Sequence, residues 1–136
     1  MTRIITNPAG LHNPVDFGYS HIVSAPGEQV FIAGQYGSDD NGQVVSEDFE
    51  AQVERAFANL RTALAAVGLG PADVVRIGTY IVEHDLAKLE VLTQHLHATW
   101  GVELPAQTLI GVASLALPGM LFEVDAVAVR TARPGS

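Results

Sequence analysis

The stretch LPAQTLIGVASLALPGMLFEVDAVAV, from Leu104 to Val129, decides the fold because it contains two strand-like segments joined by a turn. The first segment, Gln107 to Val112, is short and apolar, and Pro105 in front of it favours extended geometry in its neighbour. The second segment, Leu121 to Val129, alternates between two faces as strand residues do. The sequence therefore predicts two strands of one sheet.

The second of these strands carries two carboxylates among apolar neighbours. Glu123 and Asp125 lie two residues apart, so both side chains point to the same side of the strand. The opposite face is wholly apolar and consists of Phe122, Val124, Ala126 and Ala128. An ionised carboxylate in apolar surroundings loses solvation energy unless a partner compensates for it. The two acids are therefore either paired, or their face lines a polar cleft.

Two amphipathic helices are predicted upstream of this stretch. The first begins near Ser46, which can cap it, and is stopped by Gly68; the second runs from about Leu86 to Trp100. Their apolar stripes are Phe49, Val53, Phe57, Leu60, Leu64 and Val67 in the first, and Leu89, Leu92, Leu96 and Trp100 in the second. This helical spacing indicates faces that pack on a sheet.

Three further strands complete the predicted order β-β-α-β-α-β-β. Tyr19 to Ala25 and Gln29 to Ala33, joined by Pro26-Gly27, are typical of a hairpin, and Gly34-Gln35 ends the second strand. Val74 to Val82 is apolar on both faces. We expect one α+β domain of residues 1–136, with a mixed sheet and both helices on one face. The other face then needs a partner, and the simplest partner is another copy of the chain.

Composition narrows the classes of ligand and compartment. The net charge is −8 and only seven residues are Lys or Arg, which argues against a nucleic-acid partner. The chain has no cysteine, no signal-like N-terminus and no apolar run long enough to span a bilayer, so we expect a cytoplasmic protein without membrane contact. His95 and His97 diverge on a helix and predict no metal site. We expect no cofactor either.

Four motifs occur in order along the chain: FGYS at residues 17–20, FIAGQ at 31–35, LPAQT at 104–108, and LPG at 117–119 followed by FEVDAVAV at 122–129. Together they resemble the successive motifs of the RidA/YjgF family, and the match covers nearly the whole chain. The resemblance implies a chorismate-mutase-like fold assembled as a homotrimer, with ligand clefts between subunits. It also implies hydrolysis of reactive enamines and imines, such as 2-aminoacrylate, to a ketone or ketoacid and ammonia.

The resemblance also implies a site that departs from the family pattern. Gln107 stands where archetypal members have an arginine that holds the substrate carboxylate, and a neutral amide binds such a group more weakly. Asp125 matches the catalytic glutamate, Gly111 replaces another acid, and Tyr19 is retained. We therefore expect a hydrolase for a substrate other than a simple 2-imino acid. Tyr19 and Asp125 are its predicted catalytic residues, and the predicted substrate-binding residues are Gln107 and Thr108.

Each of these residues also has a structural interpretation. Tyr19 is then a boundary residue at a strand end, Gln107 is a core amide bonded to backbone groups, and Glu123 and Asp125 pair with Arg76 or Arg130. His12 and His21 flank the predicted cleft segment, and we expect both to be solvated. Two other functions stay open: a trimer that binds a small molecule or protein without turnover, and a ribonuclease, which the acidic charge disfavours.

Overall fold

The computed structural model describes residues 3–131 and has two helices packed on a mixed sheet, which confirms the predicted α+β class. In chain order the elements are β1 (Ile4–Thr6), β2 (Ile22–Ser24), β3 (Glu28–Tyr36), α1 (Phe49–Ala66), β4 (Val74–Val82), α2 (Leu86–Trp100), β5 (Ala106–Val112) and β6 (Phe122–Arg130). Short 3-10 turns precede β2 and β4, at Val15–Phe17 and Pro71–Asp73. No helix among the described residues is long and apolar enough to cross a membrane.

The main sheet has the strand order β3-β6-β4-β5. β6 is antiparallel to both of its neighbours, whereas β4 and β5 run parallel and are joined through α2. A crossover helix is the usual connection between parallel strands, because a tight turn cannot join them. In this strand order β5 is an edge strand, and α2 lies beside it.

One face of the sheet and the apolar stripes of both helices form the core. On β6 the alternate residues Phe122, Val124, Ala126 and Ala128 are buried, as the alternation predicts. The helices contribute Val53, Phe57, Leu60, Leu64, Leu92, Leu96 and Trp100. Trp100 also satisfies its indole N–H, which donates to the carbonyl of Pro71 at 2.7 Å. The buried stripe therefore fixes which face of each helix meets the sheet.

The start of α1 differs from the prediction. Asp48 is the N-cap, and its carboxylate accepts from the amide of Ala51 at 2.9 Å, whereas Ser46 accepts from the amide of Asp48 one step earlier. A carboxylate suits the positive end of the helix. Gly68 does terminate the helix, with a φ of +76°. Val67 is consequently part of the cap and is largely exposed.

The predicted N-terminal hairpin was wrong. β2 pairs with β1, which the sequence reading missed, and β3 pairs with β6. Gly27 marks the passage between the two sheets: its φ is +138°, and a Cβ there would lie 2.1 Å from the carbonyl oxygen of Arg130. β3 also continues past Ala33 to Tyr36 through an irregularity in its pairing with β6.

The second face of the sheet is open in a single chain. We call this the outer face; it carries alternate residues of each strand, including Phe31 and Ile110. Phe31 is 72% exposed and Ile110 is 46% exposed. Phe31 lies on the edge strand β3, and a large exposed aromatic on a sheet face is typical of an association surface.

Candidate functional site

A cavity of about 390 Å³ lies between α2, the edge strand β5 and the segment that precedes β2. Its lining consists of His12, Phe17, Tyr19, Leu89, Leu92, Leu96, Gln107, Thr108 and Leu109. Three of the four residues predicted for the site, Tyr19, Gln107 and Thr108, are therefore together. The fourth, Asp125, is not part of this lining.

The periodicity of the two elements explains the walls. Leu89, Leu92 and Leu96 recur at three- and four-residue spacing, so they form one row on α2. On β5, Gln107 and Leu109 pair with the buried Ile77 and Thr79 of β4 and therefore share the helix side of the sheet. The cavity is an extension of the core interface at an edge where no further strand covers it.

Three hydrogen bonds hold the segment before β2 against this edge. The amide of Ser20 donates to the carbonyl of Pro105 at 3.0 Å, and Nε2 of His97 donates to the carbonyl of Val15 at 2.7 Å. Nε2 of Gln107 donates to the carbonyl of Gly18 at 3.2 Å. Gly18 is needed there, because its φ is +87° and a Cβ would lie 2.8 Å from a methyl of Leu96.

The polar groups of the cavity are already organised by hydrogen bonds. The hydroxyl of Tyr19 lies 2.5 Å from Nε2 of His12. Oε1 of Gln107 accepts from the hydroxyl of Thr79 at 2.9 Å, so the amide is held at both ends and keeps one N–H free. Gln107 is thus satisfied as a core amide is, and still borders the cavity.

His12 is exposed, as expected, but it also lines the cavity, which the sequence did not indicate. Its ring is edge-on to Phe17 at 5.8 Å and to Tyr19 at 6.0 Å, and T-shaped to His21 at 4.9 Å. His12 precedes Tyr19 by seven residues in a turn-rich segment without a regular period. No spacing rule relates two such positions, so only the folded segment brings the rings together.

The lining contains no Arg, Lys, Asp or Glu. Its polar contribution comes from two hydroxyls, one amide and one imidazole, and the remainder is leucine and phenylalanine. Such a surface suits a ligand with an apolar body and one or two hydrogen-bonding groups. A carboxylate would find no arginine or lysine among these residues.

The two carboxylates of β6 lie on the outer face. Asp125 accepts from the amide of Gly78 and from the hydroxyl of Tyr80, each at 2.9 Å, and Nη1 of Arg76 lies 4.0 Å from its Oδ1. A Cβ at Gly78 would lie 2.6 Å from Oδ1 of Asp125. Similarly, a Cβ at Gly34 would lie 2.5 Å from the carboxylate carbon of Glu123. Each acid therefore lies over a glycine of the neighbouring strand.

The environment of the outer face shifts the pKa of two side chains, Tyr80 and Glu123. The hydrogen bond to Asp125 raises the pKa of Tyr80, and desolvation adds to the rise. Desolvation raises the pKa of Glu123, and the negative charge of Asp125 acts in the same direction. The predicted pairing of the acids with arginines is observed for one pair, since Arg76 approaches Asp125. Arg130 instead pairs with Glu28 at 3.3 Å.

Asp125 and the cavity are connected by one row across the sheet. Thr108, Gly78 and Asp125 are register partners on three adjacent strands. At about 4.8 Å between strands, the Thr108 and Asp125 backbones are roughly 10 Å apart. Gly78 leaves this row without an intervening side chain. Within one chain, Asp125 therefore lies outside the lining of the cavity.

The family model described as Endoribonuclease L-PSP matches residues 12–130. The chain belongs to the RidA/YjgF family. Among the described residues, no three His, Asp or Glu side chains are grouped as metal ligands would be.

Individual members of the RidA/YjgF family resemble the chain over almost its whole length. The RutC family protein YjgH of Escherichia coli is 30% identical over 127 residues, 93% of this chain and 94% of that protein. A Rid-family protein of unknown function from Yersinia pestis, YyfB, is 39% identical with a TM-score of 0.91, over 96% of this chain and all of that one. RidA from an Antarctic Psychrobacter is 28% identical with a TM-score of 0.68, over 93% and 98% of the two chains.

Proposed function

We propose that this RidA/YjgF protein is a hydrolase for a small, uncharged enamine or imine, which it converts to a carbonyl compound and ammonia. The observation that carries the proposal is the cavity lining, in which Tyr19, Gln107 and Thr108 offer uncharged hydrogen-bonding groups beside a wall of leucines. The family resemblance supplies the reaction class. The lining supplies the restriction on the substrate.

The restriction follows from the cost of placing a carboxylate in this cavity. A hydrogen bond to a charged group contributes roughly 1.5–3 kcal/mol and a neutral one about 0.5–1.5 kcal/mol. Replacing a guanidinium by Gln107 therefore weakens carboxylate binding by about tenfold or more. The apolar wall lowers the affinity further, since it cannot solvate the charge. An imine with an aliphatic or aromatic group meets neither penalty.

The chemistry requires a proton for the nitrogen and a positioned water. In the proposal, the hydroxyl of Tyr19 faces the nitrogen and the free N–H of Gln107 holds a neutral acceptor of the substrate. Asp125 positions water or relays a proton in a cleft that a neighbouring copy completes, because it lies on the outer face of its own chain. The outer face, which includes Phe31 on the edge strand β3, is the proposed homotrimer contact.

A second candidate is a binding protein that does not turn its ligand over. One observation favours it: both oxygens of Asp125 already accept hydrogen bonds, and Arg76 stands beside them, as in a structural network. Ribonuclease activity has less support, because the net charge is −8 and the cavity lining has no cation.

The test is ammonia release from two freshly generated substrates, 2-iminopropionate and an uncharged imine with an aliphatic chain. We expect the wild type to prefer the uncharged imine. Gln107→Arg should shift the preference toward 2-iminopropionate by about tenfold or more. Gln43→Arg, an exposed glutamine on a loop away from the cavity, adds the same charge as a control and should leave the preference unchanged.

Two results would decide against the proposal. Absence of turnover with both substrates and both arginine variants favours the binding protein. Efficient turnover of 2-iminopropionate by the wild type contradicts the argument from Gln107.

A further inference from the structure

Three histidines of the chain have a hydrogen bond at Nε2, and one of these bonds differs in kind. His97 and His21 each face a backbone carbonyl, of Val15 at 2.7 Å and of His12 at 2.8 Å. A carbonyl only accepts, so both of these rings must keep a proton on Nε2. Nε2 of His12 instead faces the hydroxyl of Tyr19, which can donate as well as accept. His12 can therefore gain or lose its Nε2 proton without breaking the bond.

The geometry points to a proton relay: we infer that His12 passes protons through the hydroxyl of Tyr19 to and from the nitrogen of the bound imine. The inference rests on the proposed hydrolase function and names the source of the proton that this function needs. In this arrangement Tyr19 contacts the substrate, whereas His12 acts through it as a positioning residue.

A relay is required because a phenol is a poor proton source by itself. An unassisted phenol holds its proton up to about pH 10, whereas an imidazole exchanges its proton between about pH 5 and 8. With the two groups 2.5 Å apart, the phenol oxygen receives a proton from the ring as it gives its own away. The pair thus delivers a proton near neutral pH through the Tyr19 hydroxyl, with both rings at the cavity lining.

The steps balance with water as the other reactant. The imidazolium of His12 gives its Nε2 proton to Tyr19, and the Tyr19 hydroxyl proton passes to the imine nitrogen. Water adds to the carbon, and its surplus proton returns through Tyr19 to His12. A second passage protonates the amino nitrogen of the carbinolamine, the C–N bond breaks, and ammonia leaves as the new carbonyl forms. The hydroxyl proton released in this last step restores the imidazolium.

One further imidazole, that of His21, lies beside this pair. The titratable groups that face His12 are Tyr19 and His21. The cavity residues of α2 are leucines, and those of β5 are Gln107, Thr108 and Leu109, so neither element adds a charge to the lining. A pH dependence that disappears in His12→Gln but persists in His21→Gln can therefore be assigned to the ring of His12.

The test compares kcat/KM with pH for the wild type, His12→Gln and Tyr19→Phe, using the uncharged imine as the probe. Glutamine keeps a hydrogen-bonding group near Tyr19 but cannot exchange a proton near neutral pH. We expect a fall of about 100-fold or more in each variant, together with loss of the His12-dependent ionisation from the pH profile. The double variant should be no slower than the slower single one, because the two residues act as a unit. His95→Gln, on the groove between the helices, is the control and should keep the wild-type rate and profile.

A second measurement does not depend on the variants folding. In wild-type protein with 13C at the phenol carbon of tyrosine, the Tyr19 signal should shift as the ring of His12 titrates. The relay is overturned if His12→Gln keeps the rate and the pH profile, or if the Tyr19 signal does not follow His12. Absence of turnover in the wild type removes the hydrolase function and the relay together, whereas turnover without dependence on His12 removes the relay alone.

Discussion

Replacement of Gly78 by alanine tests whether the outer face is built around the carboxylate of Asp125. The new methyl would lie 2.6 Å from Oδ1 of Asp125 and 2.6 Å from the hydroxyl of Tyr80, against 3.4 Å or more in ordinary contact. Both atoms end side chains, so they can move, but each must move by about 0.8 Å. The two hydrogen bonds of Asp125, now 2.9 Å long, would then exceed the usual limit.

The expected cost follows from these two bonds. Bonds to a charged acceptor contribute about 1.5–3 kcal/mol each. Because the Asp125 side chain is 36% exposed, water offsets part of this, and we take about 1 kcal/mol for each bond. Alanine is favoured over glycine in a strand by roughly 0.5–1 kcal/mol. Gly78→Ala should therefore lower the free energy of unfolding by about 1–1.5 kcal/mol.

Urea unfolding measures this change, and the protein concentration is kept fixed because the proposed association would also contribute to stability. Tyr80→Phe is the matched variant, because it removes one of the two bonds without adding a methyl, and it should cost about 1 kcal/mol. The double variant should cost less than the sum of the two, since both act on Asp125. If Gly78→Ala is as stable as the wild type, or more so, Asp125 does not depend on the space above this glycine.

Three further predictions concern other residues. Glu123 has a raised pKa in the folded state, so its ionisation destabilises the fold as the pH rises from the unfolded-state pKa through the folded-state pKa. In urea unfolding, Glu123→Gln should therefore be as stable as the wild type below about pH 4 and more stable than the wild type at neutral pH. Equal stability of the two proteins at both pH values would contradict the raised pKa. The buried side-chain amide of Gln52 donates to the carbonyls of Ser46 and Gly119 and accepts from the amide of Leu121, each at 2.8 Å. Gln52→Leu should therefore lower the free energy of unfolding by roughly 2–4 kcal/mol. A loss of less than about 1 kcal/mol in urea unfolding would show that water replaces these bonds. If the proposed homotrimer forms through the outer face, Phe31→Glu should lower the molar mass in light scattering to that of a monomer while the circular dichroism is retained, and an unchanged trimer mass would place the contact elsewhere.

Regular segments could be predicted from the sequence closely. The bounds of β4 and α2 agree with the prediction at both ends. β4 is an apolar run that follows a turn at Pro71, and α2 has an apolar helical stripe that ends at Gly101, so in each case the sequence marks the ends of the element. The buried face of β6 also follows the alternation of its residues. In these segments the local pattern and the tertiary packing favour the same structure.

The failures occur where pairing is not local. β1 and β2 are three residues long and lie sixteen residues apart, so no short-range pattern indicates their pairing. Pro26-Gly27 reads equally well as a hairpin turn and as the passage between sheets that it is. Ser46 and Asp48 are both good caps, and the sequence does not choose between them.

The candidate site was predictable in part for the same reason. Tyr19, Gln107 and Thr108 were expected together and do share the cavity. The position of Asp125 on the outer face required the register of β6 against β4, which alternation alone does not supply. His12 could not be found, since its contact with Tyr19 depends on how a turn-rich segment folds back on itself.

The hydrogen bonds that hold the segment before β2 also set the time at which the cavity can exist during synthesis. Gly18 is bound by a residue 89 positions later in the chain, and Val15 by one 82 positions later. At about 5–20 residues per second, a ribosome needs roughly 4–18 seconds to add those residues. During that interval Tyr19 and His12 have been synthesised, but the edge strand β5 against which their segment packs has not. The cavity is therefore among the last features of the domain to form, and a bound ligand stabilises only the nearly completed chain.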